Sequence, residues 1–201
     1  MIHGMPRARG YDRNNVAARA MEQFWTYGYY ATSIRDLVRA TGVSRHALYS
    51  EFADKQGLFV AALGVYFDEI VTPAFAAVES RHGRLSDIRA YFETQVGWII
   101  QKGLPATGCM IANTMVESGP HEKVFRKLIA KHVDRLKRGF RSALENECAA
   151  CGRRVNTGGV AEFLTISAQG LWSYARLATN PDVLRGYVDQ LLAAVEKGFA
   201  K

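Results

Sequence analysis

Apolar residues recur along this chain at spacings of three and four, and no segment alternates with the period of two that a strand requires. Val16, Ala20, Met21, Phe24 and Trp25 line one face of a helix that Asp12 caps and Gly28 ends. Ile34, Leu37 and Val38 give a short second helix. Ser33 and Asp36 have capping-box spacing, and Gly42 suits the left-handed residue that closes a helix. Ser44 is placed to cap a third helix whose inner side is Ala47, Leu48 and Phe52. Asp54 opens a fourth, with Leu58, Phe59, Ala62, Leu63, Tyr66, Phe67 and Ile70 periodic toward Glu79. Pro73 predicts a kink or break within it. Further helices are expected over about 84–102, 108–117, 121–149, 157–177 and 181–199, the last opened by the cap-plus-proline pair Asn180-Pro181. The sum is an all-α protein of about nine helices.

Two short helices around a Gly-containing turn form a helix-turn-helix, and in that arrangement the second helix enters the major groove. The residues left facing outward on it are Arg45, His46 and Tyr49. Arg45 is suited to a bidentate bond with guanine O6 and N7. Arg35, in the first turn of the preceding helix, is placed to reach a base or a phosphate, and His46 a base edge or a phosphate.

The run Thr32, Ile34, Gly42-Val43-Ser44, Leu48-Tyr49, Phe52, Lys55 and Leu58-Phe59 resembles the DNA-binding domain of the tetracycline-repressor (TetR-type) family over roughly residues 10 to 60. His46 departs from the small residue common in the family, and Glu51 from an aromatic or His. The resemblance implies a DNA-binding head over residues 1–55 with a basic N-terminal arm, and a ligand-binding and dimerisation bundle over 56–201. It also implies that Thr32, Ser44, Tyr49 and Lys55 bond phosphates of double-stranded DNA. Lys55 stands at a helix start, where backbone N–H groups also attract anions.

The net charge is +7, which permits an anionic partner without establishing one. Residues 1–55 carry eight Lys/Arg against five Asp/Glu, so the head is the more basic part per residue. Arg7 and Arg9 sit in a terminal stretch with Gly4, Pro6 and Gly10, read as a basic arm beside the DNA or as an unstructured end. No continuous run of 18 apolar residues and no secretory leader pattern occurs, so a cytoplasmic protein without a membrane span is expected.

Residues 160–177 have too little polar surface for a helix packed on one side. The small residues Ala161, Ala168, Gly170 and Ala175 would admit a second helix closely. The last two helices are therefore expected either to close the chain's own core or to build a four-helix homodimer interface, the arrangement the resemblance implies. A two-fold dimer would set its reading helices one DNA turn, about 34–36 Å, apart over a palindrome. Trp98, Cys109, Met110, Asn113, Met115, Phe125, Trp172 and Tyr174 have the composition of a small-molecule pocket and equally that of plain core. The resemblance implies a cavity there for an unidentified effector.

Cys148-Ala-Ala-Cys151 has metal or redox spacing, beside Arg153 and Arg154, but a metal site would need two further ligands. Lys123, Lys127, Lys131, Arg135 and Arg138 form one basic stripe, most simply a solvated face. No phosphate loop, nucleophile elbow or paired His motif is present, so neither an enzyme nor a cofactor is expected. The leading expectation is a ligand-responsive repressor. The alternative is a small-molecule-binding or interaction protein of the same fold with little specific DNA binding.

Overall fold

A computed structural model describes residues 11–118 and 122–199, and among these every regular element is helical. The basic arm and the Gly119-Pro120 break fall outside the described residues, apart from Tyr11. The helices are α1 Arg13–Tyr27, α2 Ile34–Thr41, α3 Arg45–Phe52, α4 Lys55–Tyr66, α5 Thr72–Phe75, α6 Leu85–Lys102, α7 Met110–Glu117, α8 Lys123–Cys151, α9 Thr157–Tyr174 and α10 Pro181–Lys197. A π-helical segment, Phe67–Val71, joins α4 to α5, so these two form one helical run and nine rods are described. The irregularity lies upstream of Pro73. A proline inside a helix crowds the carbonyl four residues earlier, here Glu69, and the wider π turn relieves that contact.

The chain divides into two compact units, Met1–Phe67 and Asp68–Lys201. In the first, Val16, Ala17, Ala20, Met21 and Phe24 of α1 are buried, as are Leu58, Phe59, Ala62, Leu63 and Tyr66 of α4. Phe24 and Phe59 meet edge to face with centroids 4.8 Å apart, Tyr29 adds a contact at 4.9 Å, and Trp25 meets Tyr66 at 5.0 Å. This packing carries the compact unit past the 55/56 division expected from sequence, because α4 spends its apolar face against α1. The run Lys55–Phe75 is the one described helix long and apolar enough to cross a membrane by length and composition. Leu58, Phe59, Leu63, Tyr66 and Phe75 within it are buried, and Phe67 and Ile70 are half-buried.

The second unit has one core, shared by α5, α6, α8, α9 and α10 and centred on Phe75, Ile88, Phe92, Phe140, Leu164, Trp172, Leu184 and Leu192. Gly139 is required there. A Cβ at that position would stand 2.5 Å from Cε1 of the fully buried Phe75 ring. Glu147 near the end of α8 holds the start of α6, accepting hydrogen bonds from Arg84 at 2.9 and 3.3 Å and from the Leu85 N–H at 3.3 Å. Arg89 of α6 donates to Glu196 of α10 at 2.5 and 3.0 Å.

The basic stripe of α8 is partly spoken for. Arg135 pairs with Glu79 and donates to the Thr72 hydroxyl at 2.9 Å, and Arg138 pairs with Asp134. Lys123, Lys127 and Lys131 are exposed.

His132 is buried in the second unit, and burial, with a smaller contribution from Arg135, pushes its pKa from 6.5 down to about 4. The folded unit therefore holds this ring neutral, whereas the unfolded chain takes up a proton below about pH 6.5. Stability is complete above that pH and falls by at most roughly 3 kcal/mol between pH 6.5 and 4, flattening below. Urea midpoints measured across this range should show the loss, and His132→Leu should remove that part of the slope.

Candidate nucleic-acid interface

The helix-turn-helix is assembled by local capping. Ser33 accepts from the Asp36 N–H at 3.2 Å, and Asp36 returns the bond to the Ser33 N–H at 3.0 Å. Hydrogen bonds from Ser33 hold the Asp36 carboxyl below its ordinary range. Gly42 adopts φ 75°, ψ 8°, and its N–H donates to the Val38 carbonyl at 3.0 Å. Without a Cβ, this conformation carries no steric cost. The Ser44 hydroxyl accepts from the Ala47 N–H at 3.2 Å and opens α3. At the far end, Ala53 has φ 68° and ψ −52°, and the Asp54 N–H donates to the Phe52 carbonyl at 2.8 Å. That is a γ-turn, a strained conformation for a residue with a Cβ. Asp54 then caps α4 through the Gly57 N–H at 2.7 Å.

The structure leaves most of the expected DNA contacts accessible. Ser44, Arg45 and His46 are exposed and Tyr49 is half-buried, while Leu48 and Phe52 point into the core. The Arg45 guanidinium lies over the Tyr49 ring, 5.3 Å from its centroid, which orients both side chains. Arg35 is exposed on the first turn of α2. Lys55 is half-buried, with its Nζ 4.5 Å from the Tyr29 ring centroid. Thr32 is the correction. It is fully buried, and its hydroxyl donates inward to the Gly28 carbonyl at 2.7 Å, so it ties the α1–α2 link together and presents nothing to a phosphate. Sequence reasoning missed the pairing of Glu51 with Arg13 at 3.1 Å. Thirty-eight residues separate the two, beyond the reach of any local pattern.

The expected effector residues are distributed differently. Trp172 is buried in the second unit's core, with Trp98 and Cys109 packed partly against it. Met110 and Phe125 are buried, and the Asn113 amide donates to the Thr107 carbonyl at 2.8 Å. The polar centre beside Trp172 is Tyr91, which sequence periodicity presents as one more apolar position. Burial and the neighbouring Cys109 push its hydroxyl pKa up, and its ring meets Trp172 edge to face with centroids 6.3 Å apart. One turn before Trp172, the buried amide of Gln169 has no hydrogen-bond partner among the described residues. Cys148 and Cys151 are free thiols at the end of α8, and among the described residues no group of three potential metal ligands comes together.

Two capped eight-residue helices on a packed support, with an arginine, a histidine and a tyrosine along the outer face, define a helix-turn-helix DNA-binding protein. The family model for bacterial regulatory proteins of the tetR family matches residues 16–62. The model for the tetracyclin repressor-like C-terminal domain matches residues 85–191. The chain belongs to the TetR family of transcriptional regulators. It is 36% identical over 118 residues to the HTH-type transcriptional repressor ComR of Escherichia coli (strain K12). That match covers 57% of this chain and 54% of ComR, about half the relative's length. It is 26% identical over 195 residues to the HTH-type transcriptional regulator YezE of Bacillus subtilis (strain 168), covering 96% of this chain and 100% of YezE. The same fold occurs in a cysteine-substituted form of the TetR family regulator CifR complexed with 26 bp double-strand operator DNA. There the TM-score is 0.82 at 22% identity, over 94% of this chain and 99% of that one.

Replacing Thr32 by Val should lower stability by about 1 kcal/mol, through loss of the bond to Gly28. It should leave the salt dependence of DNA binding unchanged. Thermal melts and a salt titration of the same variant test both halves.

Proposed function

We propose that this protein is a homodimeric repressor that reads a palindromic operator with α3 and is released by a small-molecule effector bound in its second unit. The observation that carries the reading is the outward face of α3, where Arg45, His46 and Tyr49 stand together over a buried Leu48–Phe52 side. Arg45 is the base reader, because on α3 it alone combines exposure with a fork that matches guanine. Ser44, Tyr49 and Lys55 serve as phosphate contacts, with Arg35 and His46 at the margins of the read sequence.

Support for a dimer comes from α9 and α10. Phe163, Ile166 (67% exposed), Tyr174 and Leu177 (78% exposed) follow one another at helical spacing on or just past α9, and Val183 and Tyr187 stand exposed on α10. A groove of about 300 Å³ runs between the two helices, lined by Gly170, Leu171, Tyr174, Val183, Leu184 and Tyr187. Contiguous exposed apolar side chains of this kind mark an association surface. Of the small residues expected to admit a partner helix, Ala161, Ala168 and Ala175 are buried in the chain's own core. Gly170 alone of these faces outward, with open space where a Cβ would be.

The effector reading draws on Tyr91, Cys109, Trp172 and Gln169, a polar and aromatic set suited to an uncharged ring-bearing ligand. Such a ligand acts only through the difference in its affinity for the two spacings of the reading helices.

Selection of duplexes from a random library by the full chain should return a palindrome. On the selected duplex, Arg45→Ala should relax discrimination at one base pair per half-site by about 1–3 kcal/mol. Lys55→Ala should weaken all sequences alike and make the salt slope shallower by about one. An unchanged specificity profile for Arg45→Ala removes it as the reader. Ile166→Glu should convert a particle of twice the 22.3 kDa chain mass into one of a single chain by light scattering, with loss of operator binding.

A further inference from the structure

The reading helix has two edges, and Arg45 and Tyr49, held together by their ring contact, serve one of them. Leu48 and Phe52 mark its buried side. At 3.6 residues per turn, Tyr49 and Glu51 project about 80° to either side of that direction. A helix lying in the major groove is walled by a phosphate strand on each side, so each edge faces a strand. The Tyr49 edge carries Arg45. The opposite edge carries a carboxylate, which by itself would repel the strand it faces.

That carboxylate is covered. Arg13, the first residue of α1, places its Nε 3.1 Å from Glu51 Oε1 and its guanidinium carbon 4.9 Å from the Phe52 ring centroid. The Glu51 side chain is only 9% exposed, whereas Arg13 keeps 50% of its own exposed. Two contacts, one to a charge and one to a ring face, thus fix the plane of the guanidinium on the Glu51 edge of α3. An arginine has five N–H donors in a rigid fork, and the bond to Glu51 engages the Nε side of it.

We propose that Arg13 is a further phosphate-contacting residue, serving the strand opposite the Tyr49 edge, and that Glu51 is the positioning residue that aims it. The proposal rests on the DNA-binding reading of α3. It gives Glu51, a departure from the family pattern at that position, a role: the edge reaches phosphate through α1 and not through α3's own side chain.

The test measures affinity of the full chain for the selected duplex over a salt series, for wild type, Arg13→Gln, Glu51→Gln and the double variant. Arg13→Gln should bind more weakly, with the slope of log K against log salt shallower by about 0.9, one phosphate's worth of released counterions. Glu51→Gln, which removes the charge that aims Arg13, should bind more weakly at the wild-type slope, and wild-type affinity at every salt concentration overturns the aiming role. The double variant should keep the shallow slope of Arg13→Gln. A wild-type slope for Arg13→Gln overturns the proposal. So does restoration of wild-type affinity and slope in the double variant, since Arg13 would then only cancel Glu51. If Arg13→Gln does not fold by circular dichroism, Arg13→Lys decides. It should retain the slope with weaker binding, and wild-type affinity at every salt concentration overturns the aiming role. A wild-type chain that selects no duplex instead refutes the DNA-binding reading itself, a result separate from any of these.

Discussion

Two helices of eight residues each are too short to hold their shape in water, because nucleation costs more than a few backbone bonds return. The helix-turn-helix of this protein therefore exists only as far as its inner side is buried. Leu37, Leu48 and Phe52 supply that side, and the aromatic contacts among Phe24, Tyr29 and Phe59 make α1 and α4 a firm support. Everything proposed about DNA follows from this constraint. Once Leu48 and Phe52 are fixed inward, the directions of Arg45, His46, Tyr49 and Glu51 are set by helix geometry alone.

The charges around α3 are organised in the same way. Arg45 rests on Tyr49, Lys55 on Tyr29, and Arg13 between Glu51 and Phe52. Each cation is held against an aromatic ring of the same unit, which limits the rotamer freedom it would lose on meeting a phosphate. The second unit uses its charges differently. Arg84 with Glu147 and Arg89 with Glu196 join α6 to α8 and α10, and Arg135 of α8 holds Glu79 in the turn after α5. The core between them is apolar, and it is the setting for Tyr91 and Trp172.

What could be read from the sequence was local. The Ser33–Asp36 box, Gly42, the Ser44 and Asp54 caps and the Asn180-Pro181 start each depend on neighbours within four residues, and all are present as expected. The features that escaped depend on distant partners or on direction. Arg13 meets Glu51 across three helices, and Tyr91 meets Trp172 across most of the second unit. Thr32 has the residue type of a phosphate contact, but the side to which its hydroxyl turns is decided by the path of the chain at Gly28. Ala161, Ala168 and Ala175 show the same limit. Their size was legible, and the face they occupy was not, because a helix that is apolar on most sides gives no phase to its own periodicity.

The join after α3 has a mechanical meaning. Only Ala53 and Asp54 separate the end of α3 from the start of α4, and Ala53 is already held at a backbone angle few residues tolerate. A longer or glycine-rich connection would let the two helices pivot separately and absorb a small rotation of α4 as slack. This one cannot lengthen or relax without breaking the Asp54 cap. Tilting α4 must swing α3 by a comparable angle, so the two behave as one bent lever whose short arm is the proposed reading helix.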